Sequence, residues 1–512
     1  MKALSVEQSI FEGKQEVKKL FQFVKDHAAE STAYEMEQAI FVRLMQIGLT
    51  AMTCYFAQTG TGDVGETISL PDGVVLQRAN DLRGRGYFSV FGKFNVPRSY
   101  YHCEGESGLF PLDAQADLPK RCYSYLLQEW MDLLSLRDTF KESEISLAKL
   151  LGLGVKSSRF KVVNQESVTA ASYDTFYEHK EIPSSESEGE IEVLEFDGKG
   201  VPVIKKEAAK LKARAGKGEK RQKKKEAMVG VSYTVDRHER SAEEVTQNLI
   251  YPERTQAKRD AAKQAGQPVS SSPKAQNIRR LASLERSKTE VVKVIVHDAK
   301  ARDREHKRPW IIVMDGALGL WAVIATVLKG FEYVGILDII HVVEYLWKAG
   351  NALHGEGTAE TQRWVYNHLL SLLRGHVGRV IGGLKQTLNK RTLKAGQRKA
   401  LQDAIRYFTN HRKWMHYDEY LQAGYPIGSG VVESTCGHTV KDRMEGTGRR
   451  WSIDGAESTL LLRSVYTSGD WDAYWDSHMK QERTRLYSRT SEALTIADEY
   501  DGDLQTEKVV GM

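Results

Sequence analysis

Residues 310–328 read WIIVMDGALGLWAVIATVL, and how this run is parsed decides the class of protein. It is as long as a minimal membrane span and carries one charge, Asp315. A mid-span aspartate costs about 3 kcal/mol even on a lenient insertion scale. The run also breaks in the middle: IIVM is short, apolar and largely β-branched, Asp315-Gly316 is a turn pair, and LGLWAVIATVL resumes with helix-compatible residues. Buried strand, turn and helix is therefore the predicted parse, and no membrane span is expected. Working outward, YVGILDIIHVVEYLW (333–347) repeats an apolar strand signal, and upstream IEVLEFDGKG (191–200) alternates like a strand that delivers Asp197 to a Gly-flanked turn. MVGVSYTVD (228–236) reads as a second strand after it. Strand, helix and strand in this order predict an α/β layer.

The chain has 512 residues, 41% hydrophobic and 28% charged, enough for two to four domains at roughly 100–200 residues each. The net charge of +5 is too small to imply a nucleic-acid partner, but from Lys205 to Lys225 there are eleven Lys/Arg against two Glu. That segment reads as an electrostatic DNA clamp or as a disordered spacer in a hairpin insertion. Cys54, Cys103, Cys122 and Cys436 lie far apart with no C-x-x-C, so neither a disulfide framework nor a cysteine-based zinc site is predicted. The N-terminus lacks an apolar signal region, and a cytoplasmic location follows as the expectation.

The predicted organisation is a helical region over 1–83, a small β unit over 84–122, a helix-turn-helix region over 123–179 and a linker over 180–190. An α/β core over 191–342 contains the basic insertion 204–226; an all-helical block over 343–424, a second core part over 425–484 and a flexible tail over 485–512 follow. Residues 265–280 read as loop, followed by a charged helix to about His306. Within 139–165, two short helices flank a Gly turn, the second predicted to start with a Ser cap. Lys156, Arg159, Lys161, Asn164 and Gln165 in or beside it have side chains suited to phosphates and base edges. A plain helical hairpin with a solvated face fits the same residues.

Three carboxylates stand out: Asp197 and Asp315 at strand ends, and Glu433 on a helix after the turn GYPIGSG. Such a set suits hard, oxygen-seeking Mg²⁺, and two ions about 3.5–4 Å apart clamp the oxygens of a phosphoryl displacement. Aspartates at strand ends are also common turn-formers.

In order, IEVLEFDGKG, WIIVMDGALGLW, LDIIHVVEYLW and GSGVVESTCGHTVKDRMEGTGRRW resemble the DDE transposases of bacterial insertion sequences in the broad Mutator-like assemblage. The resemblance covers about residues 190 to 475. It implies an α/β RNase H-like catalytic core with an all-α insertion, preceded by a mainly helical region with a helix-turn-helix. It further implies two Mg²⁺ (or Mn²⁺) ions per active site on Asp197, Asp315 and Glu433, strand cleavage at transposon ends and attack of the new 3′-OH on target DNA. Double-stranded DNA and further copies of the chain are the implied partners. Asp338-x-x-His341 resembles the family's C/D-x-x-H motif, which makes His341 a residue that orients a phosphate or relays a proton; a histidine capping a strand-to-helix junction fits equally. Lys441, Arg443, Arg449 and Arg450 would hold the scissile strand, or form a solvated basic helix end. Relatives often carry a C-x-x-C near a tyrosine pair, whereas YYHCEGESGLFPLD (100–113) has only His102 and Cys103, so no zinc is expected. Two rivals remain: a domesticated, non-catalytic DNA-binding relative, and an RNase H-like nuclease that cuts without joining.

Overall fold

The computed structural model describes residues 5–211, 223–266, 272–446 and 448–510, with side chains described as far as residue 495. Most of the Lys-rich stretch, 212–222, lies outside the described residues, and with it the expected clamp. The chain divides into two compact units, Met1–Phe176 with Asp472–Met512, and Tyr177–Trp471.

The second unit is built on a five-stranded mixed sheet. Its strands are β1 (Ile191–Pro202), β2 (Lys224–Val235), β3 (Gln276–Ser283), β4 (Trp310–Met314) and β5 (Val334–Leu337), in the order β5-β4-β1-β2-β3. β1, β2 and β3 run antiparallel to one another in turn, while β4 is parallel to β1 and β5 is parallel to β4. Every residue of β4 is buried, as a parallel strand covered on both faces requires. The helix Leu318–Val327 follows it, so 310–328 is strand, turn and helix. The five helices Ile339–His354, Ala359–Leu373, Val377–Lys390, Ala395–His411 and Tyr417–Gln422 make the expected helical block.

Several expectations for this unit need correction. Asp197 does not end its strand: β1 continues to Pro202 because β2 extends the ladder, pairing Lys199 with Ala227, so Gly198 is in the strand and not in a turn. What ends near Asp197 is the pairing with β4, whose last register is Phe196 with Met314. Residues 276–283 form β3 where loop was expected, and the helix after it is Lys288–Arg302, opened by a Ser287/Glu290 capping box. Arg279 and Arg280 hid this strand, because their polarity is absorbed by tertiary contacts: Arg279 lies 3.2 Å over the Tyr177 ring and Arg280 donates to Thr435 Oγ1. The predicted linker 180–190 is part of the packed unit, with Glu188 held by the buried Arg302 and Lys180 paired with Asp470.

The first unit opens with the helices Val6–His27 and Ala33–Thr59, which pack on each other. The latter is the one described helix long and apolar enough to cross a membrane by length and composition. Strands Thr67–Ser69 and Val75–Arg78 fall inside the region expected to be helical, 1–83, and pair with each other. The hairpin Arg83–Ser89/Gly92–Arg98 follows. The helices Tyr125–Arg137, Phe140–Leu151 and Ser157–Ser167 share a core of Leu127, Met131, Leu147, Phe160 and Val163. Gly152 closes the middle helix at φ +69°, where a side chain would be strained. The third helix starts from Lys156, not from a Ser cap; the Ser157 N–H donates to Glu144 Oε2 at 2.8 Å. The tail is not frayed as far as it is described: Trp471–Val510 is one helix, and Tyr487 and Ala493 are buried in this unit.

Candidate active site

The last residues of the register in three adjacent parallel strands are Phe196, Met314 and Leu337, and each is followed by an aspartate. Asp197, Asp315 and Asp338 therefore stand in one row at the same edge of the paired region. Asp338 begins the helix Ile339–His354, and its own N–H still donates to Met314 O at 2.8 Å, which ties the row together. Glu433 comes to the row on the short helix Gly430–Thr435. Among the described residues, ligand atoms of Asp338, His341 and Glu433 lie within 4.8 Å of one another.

Hydrogen bonding separates the aspartates. Asp338 is fully buried, and its Oδ1 accepts the N–H groups of Ile340 (3.0 Å) and Ser429 (3.3 Å). Its Oδ2 takes the Ser429 hydroxyl (2.9 Å) and lies 2.7 Å from His341 Nδ1. Four partners fill the roughly four acceptor positions of a carboxylate. Asp315 is half-buried and accepts the Ala317 N–H at 2.9 Å. Asp197 accepts from the Gly198 N–H (2.6 Å) and from Cys436 Sγ (3.4 Å). Asp197 and Asp315 thus keep lone pairs free, whereas Asp338 serves His341; among the described residues the group whose ligand atoms lie close enough to share an ion is Asp338, His341 and the exposed Glu433, and it does not include Asp197 or Asp315.

The electrostatics follow from this crowding. The bond to Asp338 pushes the His341 imidazole up to about 9, against a smaller opposing effect of burial, and the charges of Asp338, Asp315 and Glu344 add to it. Partial loss of hydration at the site raises the Glu433 carboxyl, and the neighbouring Asp338 and Asp197 charges raise it further against the opposing charge of His341. At neutral pH the protonated His341 is the positive charge among these carboxylates.

Residues outside the motifs shape the site. Trp321 Nε1 donates to Asp315 O, and His411 of the helical block lies 2.9 Å from Gly316 O through its Nε2. Tyr407 of the same helix packs so closely on Gly316 that a Cβ there would sit 2.4 Å from the ring. Ser429 and Glu195 bind the Glu433 helix to the sheet. A serine in GSG beside a glutamate was a visible signal for the first; nothing local marked Tyr407 or His411.

The expected DNA contacts divide by exposure. Lys156 and Arg159 are exposed, and Lys161 and Gln165 are half-buried. Asn164 is excluded as a DNA contact because it is fully buried, its Nδ2 3.5 Å from Ser135 Oγ. In the second unit Lys441 and Arg450 are exposed. Arg449 spends Nη1 on the carbonyls of Asp442 and Arg443. Arg443 is also excluded: it is 2% exposed and stacks 4.5 Å over the Trp451 ring. The chain matches no protein-family model, and no curated protein matches it.

Proposed function

We propose that the protein is a DDE-type DNA transposase with an RNase H-like core, acting by metal-dependent phosphodiester cleavage and 3′-OH strand transfer at the inverted repeats of a bacterial insertion sequence. The observation that carries this reading is the row Asp197–Asp315–Asp338 on three adjacent parallel strands, with Glu433 brought onto it by a separate helix. That arrangement is what the motif resemblance implies for a catalytic core. Carboxylate oxygens suit hard divalent ions: Asp197 and Asp315 have lone pairs to spare, and Glu433 stands within 4.8 Å of the ligand atoms of Asp338 and His341.

Asp197, Asp315 and Glu433 would hold Mg²⁺ or Mn²⁺. Two such ions, when bound, supply the clamp on attacking and leaving oxygens in an in-line displacement. His341 keeps a proton at neutral pH, and with Nδ1 on Asp338 its Nε2–H is the atom that donates to a phosphate oxygen. Lys156 and Arg159, exposed on the helix-turn-helix, position duplex DNA through phosphates. Lys441 and Arg450 do the same for the scissile strand. The protein works in the cytoplasm on the nucleoid, as an oligomer on DNA.

The test is cleavage and joining of a labelled duplex bearing the flanking repeat, with Mg²⁺ or Mn²⁺, by wild type, Asp197→Ala, Asp315→Ala and Glu433→Ala. Each substitution is expected to lower both steps by about a thousandfold or more while DNA binding persists. Cleavage that survives Asp315→Ala would transfer its role to Asp338. Cutting without joining would identify a nuclease, and binding without cutting by the wild type a domesticated relative.

A further inference from the structure

We propose that Glu195 is a positioning residue that sets the cation affinity of the site by fixing the Glu433 helix against β1; this rests on the reading of Asp197, Asp315 and Glu433 as cation ligands. Glu195 lies two residues before Asp197 on β1, so both side chains leave the same face of the strand. It is fully buried, a costly place for a carboxyl group unless both oxygens are satisfied. They are. Tyr233, on the neighbouring strand β2, donates its hydroxyl to Oε1 at 2.7 Å, and Val432 donates its N–H to Oε2 at 2.6 Å.

The second bond explains why the glutamate is there. The first amides of a helix have no partner within it and need a cap. The residue at the cap position of Gly430–Thr435 is Ser429, but it makes no side-chain cap bond, because its hydroxyl is given to Asp338. Glu195 supplies the missing acceptor from a different element. One turn further along, Cys436 Sγ meets Asp197 Oδ2. β1 therefore grips the helix at Val432 and at Cys436, on either side of Glu433. The spacing of Glu433 from Asp197 is thereby set by bonds to one strand.

Glutamine can keep both bonds, its carbonyl accepting from the Val432 N–H and its NH₂ donating to the Tyr233 oxygen, whereas leucine offers neither neighbour an acceptor. Loss of an outer partner of this kind typically lowers metal affinity by about 10–100-fold.

The experiment measures Mn²⁺ binding by electron paramagnetic resonance on the full chain, for wild type, Glu195→Leu, Tyr233→Phe and Asp197→Ala, with circular dichroism to confirm folding. Glu195→Leu is expected to weaken Mn²⁺ binding by about tenfold or more, with end cleavage partly restored at higher Mn²⁺ and DNA affinity unchanged. A folded Glu195→Leu that binds Mn²⁺ like wild type, while Asp197→Ala does not, overturns the proposal and leaves the catalytic reading standing. Should Glu195→Leu not fold, Tyr233→Phe takes its place: it leaves Glu195 with its backbone donor, a few-fold loss of Mn²⁺ affinity is expected, and unchanged affinity overturns the proposal. Absence of Mn²⁺ binding by the wild type would instead overturn the reading on which the proposal rests.

Discussion

A carboxylate ligates through the lone pairs that its hydrogen bonds leave over, and Asp338 and Asp315 sit on opposite sides of that rule. The four contacts of Asp338 make it the residue that orients and charges His341. The His341 imidazole, raised from 6.5 to about 9, is favoured in its protonated form by the fold. The stability this adds is fully present below about pH 6.5 and is lost as pH rises through about 9. In the metal-free protein, an NMR titration is expected to place the His341 midpoint near 9, and Asp338→Asn to return it toward 6.5; a wild-type midpoint near 6.5 would remove the donor role. Asp132 acts with the same sign over a lower pH window. It is fully buried near Asn164 and Ser167, and burial pushes it up to about 8. An acid raised in this way holds its proton when folded and releases it when unfolded, so stability falls as pH climbs from about 4 to about 8. Melting temperatures at pH 5 and pH 8 are expected to differ less in Asp132→Asn than in wild type; an equal difference would show that Asp132 is not the group responsible.

Elements sort these side chains by face. On the helix Ser157–Ser167, Phe160, Val163, Asn164 and Ser167 follow the spacing of a core face and all are buried, which leaves Arg159 on the outside with Lys156 at the start. The spacing could have identified Asn164 as internal, but its amide chemistry suggested a base contact. Arg443 repeats the lesson, lying three residues after the buried Val440 and beside the buried Met444. Arg159→Ala is expected to reduce the salt slope of DNA binding by about one, uniformly across sequences. Asn164→Ala is expected to leave that slope unchanged and to cost about 1–3 kcal/mol of stability. Filter binding across a salt series and denaturant unfolding separate the two; a changed slope in a fully stable Asn164→Ala would restore it as a DNA contact.

At the scale of the whole molecule, the chain does not run through its two units once. After Trp471 it returns to the unit in which it began, and Tyr474, Trp475, Tyr487 and Ala493 are buried there. Polar and acidic residues between these widely spaced contacts made 485–512 read as a tail. Deleting 485–512 is therefore expected to destabilise the first unit, since Tyr487 alone represents a loss of about 3 kcal/mol on the scale of buried aromatic truncations. Calorimetry of the truncated and full chains reads the effect, and an unchanged melting profile would show that the helix does not contribute to that core.

The amino-acid sequence by itself determined the strand–turn–helix parse of 310–328, the α/β layer around it, the helical block and the motifs bearing Asp197, Asp315, Asp338, His341 and Glu433. These are local properties: periodicity, β-branching, and glycine beside acidic turns are written in consecutive residues. Tertiary structure decided which carboxylates keep lone pairs, that Glu195 caps the Glu433 helix, that Asn164 and Arg443 face inward, that Gln276–Ser283 is a strand, and where the last helix packs. Several of those depend on partners far away in the chain, 29 residues for Asn164 with Ser135, 237 for Glu195 with Val432 and 369 for Tyr487 with Leu118, and hydrogen bonding and burial between distant segments leave no period in the sequence around either one.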